Sequence, residues 1–329
     1  MPTQEDVARR AGVSTTTVSH VINETRFVSR ELRQRVYEAM EALDYQPNAI
    51  ARSLRRRESE QIGVIVPDIA YPFLAEVARG IEDTAFRLGY NVIFCSSHQD
   101  SVRELACLDL ARTRQVDGII VLGAGSDPEH VAELIERGTP VVSCNQQFRD
   151  FPVDTVVADN ERAGFQATRH LLSLGHHRIA CMAGPQEVAI SATRLEGYRL
   201  ALGDMGIPVP EGMVTHADFG NRGGFDAMNR LLDLSEPPSA VFACNDLMAM
   251  GALCAASKRR LRVPQDVAII GCDDIALAAF TNPSLTTVAL PKHELGTLAV
   301  ELLVQRIKDG DRPVEEHILP VRMVMRDSC

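Results

Sequence analysis

The sequence predicts an α/β protein in three parts. An N-terminal helix-turn-helix head of three helices spans 1–46, a hinge helix and linker span 47–60, and a body spans 61–329 with two doubly wound parallel sheets side by side. Three observations predict this. Two short amphipathic segments meet at Gly12, Pro47 breaks the chain before an arginine-rich stretch, and from Ile62 onward apolar strand-like runs alternate with helical periods in two similar halves.

The head is read from its apolar positions. Val7, Ala8 and Ala11 mark one helix; Val13, Val18, Val21 and Ile22 mark a second, with Gly12 making the tight turn. Between the apolar positions of the second helix stand Ser14, Thr15, Thr16, Thr17, Ser19 and His20. These are short hydrogen-bonding side chains rather than long solvating charges, and such a face suits base edges in a major groove. A third helix is predicted from an N-cap at Ser29 to about Asp44, with Leu32, Val36, Met40 and Leu43 on one stripe.

After Pro47 the segment NAIARSLRRR places Ile50 and Leu54 four residues apart among Arg52, Arg55, Arg56 and Arg57. Isolated helices shorter than roughly 12–15 residues rarely persist in water, so this one is expected to fold on docking. Charge divides the chain the same way. Residues 1–57 hold ten Arg, no Lys and seven acidic residues, a net of +3; the remainder holds 24 basic and 37 acidic residues, a net of −13. A basic head on an acidic body fits a DNA reader joined to a module that need not touch phosphate.

In the body the strand-like runs are IGVIVPD, NVIFCSS, DGIIVLG and PVVSCN in a first half, then DTVVADN, RIACMAG, AVFACND and DVAIIGCDD in a second half that repeats the scheme, with a final strand HILPVRMVMR. The helices predicted between them include Phe73 to Leu88, one ending at Leu174 and one around Arg194 to Met205. Apolar strands bounded by helices mean parallel sheets buried on both faces, and in such sheets small molecules bind beyond the carboxyl ends of the strands. The cleft between the two lobes is therefore the expected pocket.

No apolar run approaches the roughly 18–20 residues of a membrane span, and no signal-peptide core is present, so a cytoplasmic, nucleoid-associated protein is expected. The eight cysteines are scattered without a C-x-x-C pair and are read as reduced thiols, with neither disulfide nor zinc expected.

Three blocks carry a resemblance that covers essentially the whole chain: DVARRAGVSTTTVSHVIN at the head, PNAIARSL at the hinge, and RLEGYRLAL, FACNDLMAMGAL and GCDDIALAAFTNPSLTTV in the body. The chain resembles the lactose-repressor (LacI) family of bacterial transcription regulators. The head is most similar to the purine and ribose repressors and the body to the ribose side. The resemblance implies a body like the periplasmic binding proteins, with an N-lobe at about 61–160 and 292–320 and a C-lobe at about 161–291 and 321–329.

It also implies roles. Thr15, Thr16 and His20 would face base edges, and Arg26 would reach the adjacent base or phosphate. Leu54 would be a wedge in the minor groove, where paired hinge helices of a homodimer kink a palindromic operator, with Arg55 lying along the groove. In the cleft, Phe73, Arg194, Phe219, Asn245 and Asp273 match effector-holding positions, with Tyr71 at the mouth and Asn145 nearby; aromatic faces would sandwich a ring while Arg, Asn and Asp bind its polar groups. Asp274 is read as tying down the following loop, and Asp159 as either a ligand or a helix cap.

The implied effector is a sugar or related metabolite, ribose-like, with a purine or nucleoside corepressor as the alternative. Three positions depart from the sugar-binding pattern: Tyr71 precedes Pro72-Phe73-Leu74 where Asn-Pro-Phe-Phe is usual, Asn145-Gln146 stands for Asp-Arg, and Leu290 stands for Gln. These point to a less polar or differently substituted ligand.

Enzyme readings fare poorly. Asp273 and Asp274 are neighbours on a strand and point to opposite faces, His176 and His177 lack a third ligand, and Gly123 to Gly125 lacks the third glycine of a dinucleotide fingerprint. No enzyme, cofactor or metal is expected. With no leucine heptad after Cys329, a homodimer is expected rather than a coiled-coil tetramer. A sugar sensor that binds no DNA is the remaining alternative.

Overall fold

A computed structural model describes residues 2–23, 26–45, 59–98, 100–113, 115–123, 127–148, 150–209 and 211–329. The chain divides into two compact units, Met1–Ser59 and Glu60–Cys329.

The first unit holds α1 (Gln4–Ala11), α2 (Thr15–Asn23) and α3 (Arg30–Ala42). Thr3 and Asp6 form a capping box at the start of α1, and Ser29 caps α3 by accepting from the Leu32 amide. Gly12 ends α1 in the left-handed region at φ 65°, where a Cβ would also lie 2.6 Å from the Arg35 guanidinium; that guanidinium donates to the Ala11 carbonyl at 2.5 Å. Val7, Ala8, Ala11, Val18, Val21, Val36 and Ala39 close a small buried core.

In the second unit, β1 (Gln61–Val66), α4 (Pro72–Arg87), β2 (Asn91–Ser96), α5 (Ser101–Arg112), β3 (Gly118–Leu122), α6 (Pro128–Glu136), β4 (Val141–Cys144) and β5 (Asp154–Ala158) begin the N-lobe. The chain then crosses into α7 (Asn160–Ser173), β6 (Ile179–Ala183), α8 (Ala189–Gly203), β7 (Val214–His216), α9 (Asn221–Leu232), β8 (Ala240–Ala243), α10 (Asp246–Lys258), β9 (Ala268–Asp273), a 3₁₀ turn (Ala276–Phe280) and β10 (Thr286–Ala289). It returns through α11 (Lys292–Lys308) to β11 (Glu316–Leu319) and ends in β12 (Arg322–Val324).

One sheet has the order β11-β5-β4-β3-β1-β2 and is parallel throughout; the other, β12-β10-β9-β8-β6-β7, is parallel except for the β10–β12 pair. Their central strands are apolar and buried on both faces, as the continuous Val, Ile and Ala runs require.

Three details differ from the sequence reading. HILPVRMVMR is two strands: Leu319 pairs with Ala158 in one sheet and Arg322 with Ala289 in the other. Pro320, which has no N–H to give a ladder, falls at the switch. Helix α8 begins five residues before Arg194, and the short β7 carried too few apolar residues to be recognised. Finally, Cys95 on β2 and Cys107 on α5 form a disulfide, with S–S 2.00 Å and Cα–Cα 5.7 Å, which corrects the expectation of reduced thiols throughout. Twelve residues separate the two in sequence, but α5 folds back over β2 and brings them within bridging reach.

Helices pair at glycines. α7 meets α8 at Gly164 and Gly197, α9 meets α10 at Gly224 and Gly251, and α4 meets α11 at Gly80 and Gly296. In every case a Cβ built on the glycine would approach a backbone atom of the facing helix to 2.4 Å or less.

Candidate functional site

Two surfaces carry polar side chains in arrangements that the fold alone does not need. The first is the outer face of α2. Ser14 starts the helix, accepting the Thr17 amide at 3.0 Å, and its hydroxyl lies 2.9 Å from that of Thr17. Val18 and Val21 turn into the core, which leaves Thr16, Ser19, His20 and Asn23 on the opposite side of the helix, with Thr15 at its first turn. Thr15 and Thr16 are exposed and His20 is half-buried. Arg26 is exposed beyond the helix end. Leu54 and Arg55 lie outside the described residues.

The second surface is a cleft of about 710 Å³ in the larger unit. From the N-lobe it is lined by Pro67 after β1, Tyr71, Pro72, Phe73 and Leu74 at the start of α4, Gly123 after β3 and Asn145 after β4. From the C-lobe it is lined by Val188, Ile190 and Arg194 around the start of α8, Phe219 after β7, Asn245 and Leu247 at the start of α10, Asp273 at the end of β9 and Ile275 beyond it. The lining thus gathers at the carboxyl ends of parallel strands, where loops and helix N-termini face a ligand.

Arg194 is the centre of the polar lining and is 3% exposed. Its Nε donates to Asn160 Oδ1 at 2.8 Å, and its Nη1 donates to the Cys244 carbonyl and lies 3.2 Å from Asp273 Oδ1. Those bonds fix the guanidinium plane through Nε and Nη1, and among the described residues none holds Nη2. Asn145 sits at φ 60°, and its buried Oδ1 has no hydrogen-bond partner among the described residues, so the N-lobe side of the cleft offers an acceptor. Asn245 is different. Its Oδ1 accepts the Met248 amide at 2.8 Å and its Nδ2 donates to the Phe219 carbonyl at 2.8 Å, so it caps α10 and holds the Phe219 backbone with one lone pair and one N–H of its amide while lining the cleft. The Phe219 ring in turn lies where a Cβ on Gly184 would be, 2.3 Å from its nearest carbon.

Behind Asp273 lies a second carboxyl, Asp246, wholly buried. Thr287 Oγ1 donates to its Oδ1 at 2.5 Å and the Ile275 amide to its Oδ2 at 2.8 Å. Burial and the neighbouring Asp273 charge push Asp246 up to about 8, against the pull of those two donors. Burial also pushes Asp273 up to about 6, opposed chiefly by Arg194 and then by Lys292. Both carboxyls are thus held above the ordinary carboxylate range, Asp246 further than Asp273, which has the Arg194 guanidinium beside it.

This has a consequence for stability. A carboxyl whose folded value exceeds its unfolded value of 3.8 stabilises the fold fully below that value and loses the contribution as pH rises through about 8. The denaturation midpoint should therefore fall between pH 5 and pH 9 in the native chain and fall less in Asp246→Asn. Urea midpoints that fall equally over this pH range in the two proteins would refute the assignment.

All seven cleft residues singled out from sequence (Tyr71, Phe73, Asn145, Arg194, Phe219, Asn245 and Asp273) line this cavity. Asp274 ties down its loop, accepting from Arg326 Nη2 at 2.7 Å, and Asp159 caps α7 through the Arg162 amide at 2.9 Å. Sequence reasoning missed Asn160, Asp246 and the apolar collar of Leu74, Val188, Ile190, Leu247 and Ile275. Asn160 and Asp246 stand directly after strand-end acids or amides, a position that also reads as ordinary helix capping. His176, weighed as a metal ligand, has its Nδ1 3.0 Å from Ser239 Oγ; among the described residues no three His, Cys, Asp or Glu side chains are grouped to hold a metal ion, and no helix is long and apolar enough to cross a membrane.

Residues 3–48 match the profile described as bacterial regulatory proteins, lacI family, and residues 59–326 match periplasmic binding proteins and sugar binding domain of LacI family. The ribose operon repressor of Escherichia coli (strain K12) is 41% identical over 309 residues, 93% of each chain. The HTH-type transcriptional repressor PurR of Pectobacterium carotovorum is 39% identical over 324 residues, 98% of this chain and 94% of that one. Among solved structures, the lac repressor dimer bound to operator and the anti-inducer ONPF superposes with a TM-score of 0.90 at 28% identity, covering 99% of this chain and 98% of that one.

Proposed function

Because the chain belongs to the LacI family of bacterial regulatory proteins, we propose that it is a transcriptional repressor whose grip on a palindromic operator is set by a ribose-like sugar held in the cleft. The observation that carries the effector half is the pairing of Arg194 with Asp273 among Tyr71, Phe73 and Phe219. A guanidinium with a free edge and a carboxylate with a free oxygen match vicinal hydroxyls, which donate and accept together, and aromatic faces take the C–H side of a sugar ring. The unpartnered Asn145 Oδ1 asks for one more hydroxyl or amine on the ligand. The apolar collar favours a ligand with little polar surface beyond that edge.

The DNA half rests on the outer face of α2. Thr15, Thr16 and His20 read base edges, Arg26 adds a base or phosphate contact, and Leu54 and Arg55 of the hinge engage the minor groove at the operator centre. Two heads of a homodimer in successive major grooves make half-sites roughly one helical turn apart. Such a repressor works in the cytoplasm at the nucleoid.

A thermal-shift screen of pentoses, hexoses, nucleosides and purines tests the effector. D-ribose at 100 times its dissociation constant would add about 2.7 kcal/mol of stability. A response to purines and none to sugars would replace the ribose reading with a corepressor. The DNA half is tested by fluorescence anisotropy on an operator selected in vitro from a random duplex pool. Thr16→Ala and His20→Ala should each weaken that operator by about 1–3 kcal/mol while leaving random DNA and the ligand shift unchanged. A uniform loss on all DNA would assign those side chains to phosphate or to folding instead.

A further inference from the structure

The turn that follows β9 carries Asp273 at φ 116° and Asp274 at φ 54°, two consecutive non-glycine residues in a region that L side chains rarely adopt. Such a turn persists only where its surroundings hold it. Besides a longer bond from the Asp274 amide to Thr287 Oγ1 of β10 at 3.4 Å, three groups do so: Arg326 takes the Asp274 carboxylate at 2.7 Å, Asp246 takes the Ile275 amide at 2.8 Å, and Lys292 Nζ donates to the carbonyls of both Asp273, at 2.9 Å, and Asp274.

The first two belong to the C-lobe. Lys292 does not: it opens α11, the helix through which the chain re-enters the N-lobe, and its third ammonium proton points to Glu76 Oε2 at 3.3 Å. Glu76 stands in the first turns of α4, two residues after Leu74 and three after Phe73, both of which line the cleft. A side chain only 11% exposed, with its three donors divided between the lobes, is poorly placed to be a solvating charge.

We infer that Lys292 is a positioning residue that couples effector binding to the N-lobe, tying the backbone of the effector ligand Asp273 to Glu76 on the helix that presents Tyr71 and Phe73. A ligand pulling on the Asp273 carboxylate moves a turn whose two carbonyls are fixed to one ammonium, and that ammonium hands the displacement to α4. A coupling of this kind is a difference in effector affinity between two arrangements of the lobes, so removing the tie lowers the coupling without removing a ligand contact.

The inference rests on the effector reading above, and its test separates the two. In the full-length chain, D-ribose affinity is measured by calorimetry, and operator affinity is measured by anisotropy with and without D-ribose. Lys292→Met should keep the D-ribose dissociation constant within about threefold, while the ratio of operator affinities with and without sugar moves at least tenfold toward one. Glu76→Gln, which leaves both turn carbonyls capped, should lower the ratio in the same direction, and Lys292→Arg should restore most of it. An unchanged ratio in Lys292→Met, or sugar binding lost in proportion to it, would overturn the assignment.

A second measurement needs no effector. Hydrogen exchange of the ligand-free chain should quicken together at the Ile275 amide and in the first turns of α4 in Lys292→Met. Exchange that rises in one lobe and not the other sinks the tie even if D-ribose proves not to be the effector, and a native chain that ignores D-ribose sinks the sugar reading while this result still decides Lys292.

Discussion

Replacing Arg194 by methionine is expected to abolish effector binding and to cost the larger unit about 3–5 kcal/mol of stability, because it breaks a buried ion pair from one side. The loss is uneven. Arg194 holds Asn160, the Cys244 carbonyl and Asp273 at once, so its removal strands an amide, a carbonyl and a carboxylate in a site with almost no exposure. The carboxylate decides the pH dependence. Asp273 already titrates at about 6 with the guanidinium beside it, and without that charge its folded value rises further. A folded value raised above the unfolded 3.8 gives stability that is full below pH 3.8 and is lost as pH climbs through the folded value.

Arg194→Met should therefore be nearly tolerated at pH 4 and severely destabilised at pH 8. Adding Asp273→Asn should recover much of the stability and none of the binding. Arg194→Lys keeps the charge but cannot span Asn160 and Asp273 with one ammonium, so it should fold better than the methionine variant and bind no better. Urea titrations at the two pH values and a D-ribose thermal shift read all four proteins; a methionine variant as stable at pH 8 as at pH 4 would remove the carboxylate from the explanation.

Residues of this kind mark what the sequence could and could not disclose. Helix α2 was legible because apolar spacing and short polar residues alternate within one local element, and local periodicity survives without knowledge of the fold. The strands were legible for the same reason, and Arg194 and Asp273 through the motifs RLEGYR and GCDD. What was hidden depends on chain segments that meet only after folding. Cys95 and Cys107 looked like scattered thiols until α5 lay over β2. Asn245 stood out only as a cleft residue, and its second task, capping α10 and holding the Phe219 backbone, shows only in its bonds to Met248 and Phe219. Lys292 drew no notice in the sequence, since its ammonium reaches back 18 and 19 residues to the turn at the end of β9 only once the chain has folded.

The glycine pairs are the strongest case, and they carry the second large effect: Gly197→Ala should cost about 3 kcal/mol or more, at the upper end of what overpacking does, and should weaken the effector as well. A Cβ on Gly197 would lie 2.0 Å from the Glu161 carbonyl oxygen and 2.7 Å from the Phe165 amide nitrogen, both backbone atoms of α7 that no rotamer change can move aside. Helices α7 and α8 would have to separate. Arg194 stands one turn earlier on α8, and its Nε reaches Asn160 on α7 at 2.8 Å, so the same separation stretches the bond that orients the guanidinium in the cleft.

The control lies on the same helix. Gly203 ends α8 with nothing within 4 Å of a built Cβ, and there alanine should be neutral or should stabilise by up to about 1 kcal/mol through helix propensity. At roughly 2–4 °C per kcal/mol for a unit of this size, Gly197→Ala should lower Tm by about 6–12 °C while Gly203→Ala holds or raises it. The D-ribose shift should shrink only in the first. If both variants melt alike, the close crossing of α7 and α8 is not what sets the position of Arg194, and the effector site owes its geometry to the loop after β9 instead.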